Sequence, residues 1–326
     1  MRNVVLSLIV FILGSSALVT GSRFIAGQKR GDTREIAYHG DPRDPKDLPL
    51  GDGRLSDGPR KNYVWPCRVP FGGGGAFRDG PWIKGDGTWD STVKPSVQGD
   101  VAWDNYRYAI KIDGDKRKLV GNGLPDHHTG KFPIDRNDPA FQYDRNPNSI
   151  REGEISFDLP LNPQIADQPS CVPMGTIGVM KSGVALFNAL DGEGRDAVAH
   201  EIQDKCNGHP ERDGHYHYHN LSQCIAEKRD KGHSELMGYA LDGFGIYGVF
   251  GEHGEELTNA DLDECHGHTH AILWDGKMVV IYHYHATREY PYIVGCFKGT
   301  PVRAPRGPSG GPPPGGRPPW MPMFGF

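Results

Sequence analysis

The sequence predicts a mainly β protein: a compact β-rich domain containing an internal duplication of a hairpin unit, flanked by disordered N- and C-terminal segments. Three observations predict it. Short apolar stretches alternate with polar residues and are cut by Gly, Pro, Asn and Asp turns, as in "VAWDNYRYAIKID" and "GEISFDLPL". The tetrapeptide Tyr-His-Tyr-His occurs twice, at 216–219 and 282–285, each time ahead of a cysteine. The chain of 326 residues holds 45 glycines and 27 prolines with only 37% hydrophobic content, which fits a loop-rich protein around a smaller core.

In chain order, "MRNVVLSLIVFILGSSALVTG" (1–21) has one basic residue, a short apolar run and small residues. It reads as a secretory signal peptide, cleaved near Ala17 or Gly21, and its apolar core is short for a membrane span. No second apolar run follows, so the mature chain is expected to be exported and to lack a membrane span. Residues 22–81 are rich in Gly, Asp, Arg and Pro and read as disordered, with "FGGGGAFRDG" a flexible linker. The β domain is expected over 82–302, with "GRDAVAHEIQDKC" and "AEKRDKGHSELMGY" able to hold a helical turn. Residues 303–326 form a Pro/Gly-rich tail. The net charge of −5 gives no reason to expect nucleic acid as a partner.

Two segments inside the domain repeat. Gly178 and Gly183 match Gly238 and Gly243, and Asp204-x-Cys206-x-Gly-His209 matches Asp263-x-Cys265-x-Gly-His268. Both copies then turn, enter Tyr-His-Tyr-His and meet Cys224 or Cys296. The duplication covers about 178–224 and 238–296. Two such copies are expected to face each other about a pseudo-two-fold axis that brings equivalent residues to one interface.

The turns fix which residues face each other. Asp275-Gly276 between apolar runs signals a two-residue hairpin, since both positions need φ > 0. Counting outward, His268 lies opposite His283 and His266 opposite His285, so all four share one face, with Tyr282 and Tyr284 on the other. In the first copy a three-residue loop, Arg212-Asp213-Gly214, sets His209 opposite His217 and Asn207 opposite His219. His215 adds a third histidine to that strand.

Neutral imidazole is a common ligand for zinc, copper, iron and nickel, so the expected ligands are His209, His217, His219, His266, His268, His283 and His285. His127 and His215 are possible extra ligands. Asp204, Asp213, Asp263 and Glu264 could orient the rings from behind. A lone His-x-His on a strand more often means tyrosines packed inward and histidines in water; opposed histidines echoed in a second copy favour a site. His39, His200, His233 and His253 have no partner in register and read as surface or core-satisfying residues.

Six cysteines in an exported chain favour three disulfides, among fifteen connectivities. If the repeat governs pairing, Cys206–Cys224 and Cys265–Cys296 each close one unit and Cys67–Cys171 remain. Asn220-Leu-Ser222 is a glycosylation sequon, read as lying on an exposed turn.

With these motifs in view, the chain resembles the YHYH domain family, named for the tetrapeptide at 216–219 and 282–285. The resemblance also takes in "NGLPDHHTGKFP" (122–133), "CNGH" (206–209), "GYALDGFGIYG" (238–248), "DLDECHGHTH" (261–270) and "YPYIVGCFKGTP" (290–301). It covers about 100–302 and implies a secreted β-rich domain without implying a reaction.

Three function classes follow. The first is a secreted, disulfide-bonded protein that binds a transition metal, zinc or copper, through both hairpins. The second is a metal-dependent extracellular enzyme of unknown substrate, with Asp242 or Glu264 as general base. The third is a matrix or adhesion module whose partners are extracellular matrix components and whose histidines are incidental. A serine hydrolase is disfavoured by the lack of a Gly-x-Ser-x-Gly elbow. A Cys265–His266 nucleophile pair is disfavoured because strand neighbours point to opposite faces.

Overall fold

The structure, a computed structural model, describes residues 40–69, 73–225 and 232–303. Strands dominate, as the sequence predicts. β1 (Leu48–Pro49) pairs with β2 (Thr88–Trp89), and β3 (Tyr108–Asp113), β4 (Lys116–Gly121) and β5 (Ile155–Pro160) form an antiparallel meander. β6 (Ile165–Ser170) pairs with β15 (Phe297–Gly299).

The main sheet has eight strands. The first copy supplies β7 (Thr176–Met180), β8 (Ala185–Phe187), β9 (Gly208–Pro210) and β10 (Tyr216–Tyr218). The second supplies β11 (Leu236–Ala240), β12 (Gly245–Tyr247), β13 (Gly267–Trp274) and β14 (Lys277–His285). The spatial order is β13-β14-β12-β11-β7-β8-β10-β9, which reads the same from either end once copies are exchanged. In each copy the first pair is antiparallel, the next contact parallel and the outer hairpin antiparallel.

The copies meet edge to edge where β7 pairs antiparallel with β11. Val179 stands opposite Tyr239, its own counterpart in the repeat, with Gly178 opposite Ala240 and Met180 opposite Gly238. A pseudo-two-fold axis therefore passes through the Val179–Tyr239 pair. The repeated glycines have a reason here. A Cβ on Gly178 would stand 2.8 Å from the Tyr239 carbonyl oxygen, and one on Gly238 2.7 Å from that of Val179.

This axis overturns the expectation that the hairpins face each other. It joins the central strands, so the hairpins lie at opposite ends. Four strands separate β14 from β10, and five steps of about 4.8 Å put the two histidine strands roughly 24 Å apart.

Each hairpin begins at an aspartate-capped turn. The Asp204 carboxylate accepts from the backbone N–H groups of Cys206 (2.8 Å) and Gly208 (3.2 Å), and Asp263 accepts from Cys265 (2.9 Å) and Gly267 (3.1 Å). Tyr216 and Tyr282 hydroxyls donate to the same carboxylates. Asn207 and His266, between cysteine and glycine, adopt φ of 62° and 79°. Beyond the turns the expected registers hold: His209 pairs with His217, His268 with His283, and Trp274 with Lys277 around Asp275-Gly276. The disulfides are Cys67–Cys171, Cys206–Cys224 and Cys265–Cys296, the pairing the repeat favours.

Residues 40–69 are not disordered as composition suggested. Among them, Leu48, Tyr63 and Val64 are buried, and Leu50, Leu55 and Trp65 pack against the core. Their aspartates hold turns: Asp41 and Asp44 accept from the backbone N–H groups of Arg43 and Lys46. Nor is 73–80 a free linker, since the Gly73 N–H donates to the Gly192 carbonyl and Ala76 is buried. "GRDAVAHEIQDKC" does form a helical turn, Ala197–His200, whereas the described part of "AEKRDKGHSELMGY" runs into β11. The signal peptide, His39 and the Pro/Gly tail lie outside the described residues.

Gly208 and Gly267 have no room for a side chain: a Cβ would collide with the Tyr216 ring at the first and with the His283 carbonyl and Tyr282 hydroxyl at the second. Gly267→Ala should lower stability by roughly 2–3 kcal/mol, read as a lower thermal midpoint. Ala in place of Gly53, which has open space around it, should cost less, about 1 kcal/mol from its positive φ alone.

Candidate metal centres

The hairpins bring histidines together in two places. At the β9–β10 end, His209, His217 and His219 form one buried group. At the β13–β14 end, His233, His268, His270, His283 and His285 form another, with His283 and His285 buried and the other three half-buried. Within each group one ligand nitrogen per ring lies within 4.8 Å of all the others.

The rings are oriented by backbone carbonyls. Nδ1 of His219 meets the Asn188 carbonyl at 2.5 Å, and Nδ1 of His285 meets that of Gly248, the repeat counterpart, at 2.6 Å. Nδ1 of His217 and His283 meet the carbonyls of His215 and Ile281, each at 3.1 Å. His233 and His270 do likewise with Ser234 and Ala271. A carbonyl can only accept, so each Nδ1 carries the proton. In a neutral imidazole that leaves Nε2 as the unprotonated nitrogen, and every such Nε2 points inward.

The inward atoms stand close. Nε2 of His217 and His219 are 3.1 Å apart. His233 Nε2 lies 3.2 Å from that of His283 and 3.0 Å from that of His285, and those of His268 and His270 are 3.1 Å apart. Two imidazole nitrogens about 2.0–2.1 Å from one ion stand roughly 2.9–3.4 Å apart at angles between square and tetrahedral. Lone pairs facing each other at this range repel unless a cation lies between them. Both buried ring nitrogens of His209 also have no hydrogen-bond partner.

Burial keeps the rings neutral. It pushes His219, His268 and His266 down to about 4, and His209, His217 and His285 well below the usual imidazole range. Glu201 Oε2 lies 3.5 Å from Nε2 of both His209 and His219. That contact is not an ion pair of imidazolium and carboxylate: burial holds the rings unprotonated, and burial with Asp191 and Asp144 nearby pushes the Glu201 carboxyl well up.

An aromatic ring backs each group at equivalent positions. Phe187 stacks on His217 with ring centroids 3.9 Å apart, and Tyr247 packs edge-on to His283 at 5.0 Å. The Tyr-His alternation separates two jobs. Histidines face the clusters, while Tyr216, Tyr218, Tyr282 and Tyr284 are buried on the other side.

Several expected residues lie elsewhere. The positive φ of His266 turns it out of the strand, and its ring is engaged by the His285 carbonyl (2.9 Å), Asn259 Oδ1 (2.7 Å) and Thr287 Oγ1 (3.1 Å). Asn207, its counterpart, is turned out in the same way, and its amide donates to the Leu221 carbonyl. His215 sits at the loop end and is exposed, beside Glu211. His127 lies on the tyrosine side, its Nε2 2.6 Å from the Tyr218 hydroxyl. Asp204 and Asp263 hold turns and tyrosines rather than imidazoles. Asp213 is at the exposed loop tip, and Glu264 pairs with Lys298. Asp242 is buried against the Tyr284 hydroxyl, away from the histidines, so neither it nor Glu264 stands at a base's position.

Two ligand-bearing residues escaped the sequence reading. His270 follows His268 by two on the same strand, so period-two counting could have found it. His233 comes from the loop before β11 and reaches the cluster only through the strand order. His200 is buried between Asp52 and Asp79, each at 2.9 Å, and His253 is exposed. The sequon is not on an exposed turn: Asn220 is half-buried and the Ser222 hydroxyl donates to the Cys206 carbonyl.

Together these features define a class: a disulfide-bonded β domain in which one hairpin unit, used twice, presents converging imidazoles. A family model described as YHYH protein matches residues 156–258, a span that includes the first Tyr-His-Tyr-His, so this part of the chain is similar to that family. No curated protein and no solved structure matches.

The neutral rings give a directional pH test. Unfolded imidazoles titrate near 6.5. The folded values of His219 and His268 are depressed to about 4. Between those limits the unfolded chain binds protons that the folded one does not, so these groups favour folding above pH 6.5 and lose that effect as pH falls towards 4. Buried Asp196, pushed up to about 6, acts in the opposite sense. The ring Cε1–H resonances of metal-free protein therefore provide the cleaner readout. Those of His219 and His268 should stay at neutral positions down to about pH 5, and a midpoint near 6.5 would contradict the burial argument.

Proposed function

We propose that this protein is an extracellular, disulfide-bonded transition-metal protein with two separate histidine centres, each taking zinc or copper. One observation carries the reading. Nδ1 of His217 and His219 in one cluster, and of His233, His270, His283 and His285 in the other, meets a backbone carbonyl, while Nε2 atoms converge at ligand-to-ligand spacing. His217 and His219 with His209 would hold one ion, and His283 and His285 with His233, His268 and His270 the other. Three disulfides support an oxidising compartment. Bound metal would supply Lewis acidity, and the chain's own residues orient the donors and, at the first centre, exclude water.

The half-exposed second centre favours one further reading, a metal-dependent enzyme with an open coordination position. No described residue fixes its substrate.

Elemental analysis of the purified full chain should give two transition-metal ions per molecule. His217→Ala with His219→Ala, and separately His283→Ala with His285→Ala, should each remove one. Metal-free protein from metal-replete preparations would overturn the reading.

His266→Ala makes a control that counting histidines would not suggest. It should keep both ions yet lower the thermal midpoint, since it leaves Asn259 and Thr287 without their buried partner, at a cost of about 1–3 kcal/mol. Loss of an ion in His266→Ala would return that residue to the ligand set.

A further inference from the structure

The two copies share strands, turns and ring orientations, yet their centres differ in donors. We infer that Glu201 is the fourth ligand of the first centre, making it a closed three-imidazole, one-carboxylate site unlike the open, all-imidazole second site. The inference rests on the metal-binding reading above and deepens it.

Geometry supplies the first argument. Glu201 Oε2 lies 3.5 Å from Nε2 of both His209 and His219, and His217 and His219 Nε2 are 3.1 Å apart. Those separations bracket the roughly 3.3 Å edge of a tetrahedron whose donors lie about 2.0–2.1 Å from a central ion. Enclosure supplies the second: all three rings are buried and the Glu201 side chain is 13% exposed. Among the described residues no further imidazole joins this group, and the Glu201 carboxylate, which touches His209 and His219, lies outside the set of ligand atoms all within 4.8 Å of one another, so its side chain must swing towards His217 to complete the shell.

Placement supplies the third. Glu201 caps the short helix Ala197–His200, and the backbone there is held from every side. Asp196 caps the helix start through the Ala199 N–H (3.3 Å), and the Trp82 indole N–H donates to the Ala199 carbonyl (2.8 Å). His200 is fixed by Asp52 and Asp79, and the Lys94 ammonium donates to the carbonyls of Val198 and Glu201. The Ile202 N–H donates to Asp144 Oδ2 (2.9 Å). A carboxylate so braced is aimed rather than merely present.

The repeat supplies the fourth. Counting back three residues from Asp204 gives Glu201, and from Asp263 gives Ala260, which is exposed and carries no donor. The second centre recruits His233 and His270 instead. The position matching His270 is Glu211, whose carboxylate caps the loop through the N–H groups of Asp213 and His215. Each copy thus completes its centre from a different place. A closed four-donor set with one hard oxygen suits a tetrahedral ion such as zinc. Five nitrogens with three half-exposed rings suit a tetragonal ion such as copper(II) and leave room for an outside ligand.

The test uses the metal-free full chain titrated with copper(II) as a spectroscopic probe for both centres. Wild type should show two paramagnetic signals, one with mixed nitrogen and oxygen ligation and one all-nitrogen. Glu201→Gln keeps size and hydrogen bonding but loses the anionic donor. It should weaken one of the two ions about tenfold or more and abolish the mixed signal alone. His268→Ala with His270→Ala should alter only the all-nitrogen signal. Unchanged affinities and spectra in Glu201→Gln would overturn the role of Glu201 while leaving two-site binding intact. Failure of wild type to take any ion would overturn the metal reading itself. If melting of the metal-free variant shows that Glu201→Gln does not fold, His283→Ala with His285→Ala isolates the first centre. Zinc addition should then shift a carboxylate stretch in the difference infrared spectrum, and no shift overturns the proposal.

Discussion

One aspartate carboxylate per copy governs the hairpins. Asp204 and Asp263 satisfy two backbone N–H groups across a tight turn and accept a tyrosine hydroxyl from the returning strand. That arrangement fixes three things together. It throws the residue between cysteine and glycine into a left-handed conformation, starts the strand at the glycine, and locks the Tyr side of the facing strand into the core. Once a tyrosine is locked on one side, the pleat leaves its neighbouring histidines no choice of side. The imidazoles converge because the tyrosines are anchored.

Duplication then reuses the unit without merging its sites. The antiparallel contact of β7 and β11 builds one continuous sheet and needs close backbone approach at Gly178 and Gly238. The parts that repeat are those set by backbone chemistry: the capped turn, the carbonyls of Asn188 and Gly248, and the backing rings of Phe187 and Tyr247. The parts that differ are side chains that neither turn nor ladder requires: Glu201 in one copy, His233 and His270 in the other. Divergence has proceeded where the fold does not constrain it.

The hairpin registers were legible in the sequence because turn chemistry determines them. Asp275-Gly276 and Gly214 allow one loop length each, and pairing follows by counting. The disulfides followed from the repeat. His266 was misplaced because strand counting was carried one residue past the strand, into a residue with φ of 79°. His233 and Glu201 were out of reach for another reason. His233 meets its cluster only through the strand order, and Glu201, although shortly before its hairpin, reaches the rings from a helix cap that strand counting does not place. The orientation of the two copies was likewise hidden, since edge-to-edge and face-to-face arrangements leave the same pattern in each copy. Composition misled over 40–69, where few apolar residues suffice because Leu48, Tyr63 and Val64 are buried, Leu50, Leu55 and Trp65 pack against the core, and the aspartates close turns.

The distance between the histidine groups decides how the two centres communicate. Two divalent ions about 24 Å apart repel by less than roughly 1 kcal/mol even in unscreened water. Physiological salt, with a Debye length of about 8 Å, removes most of that. No strand, turn or carbonyl is common to both rings of donors. Neither charge nor shared ligands would therefore couple them, and on the proposed reading filling one would leave the affinity of the other unchanged. On the proposed reading the sheet would act as a spacer between two centres that fill independently.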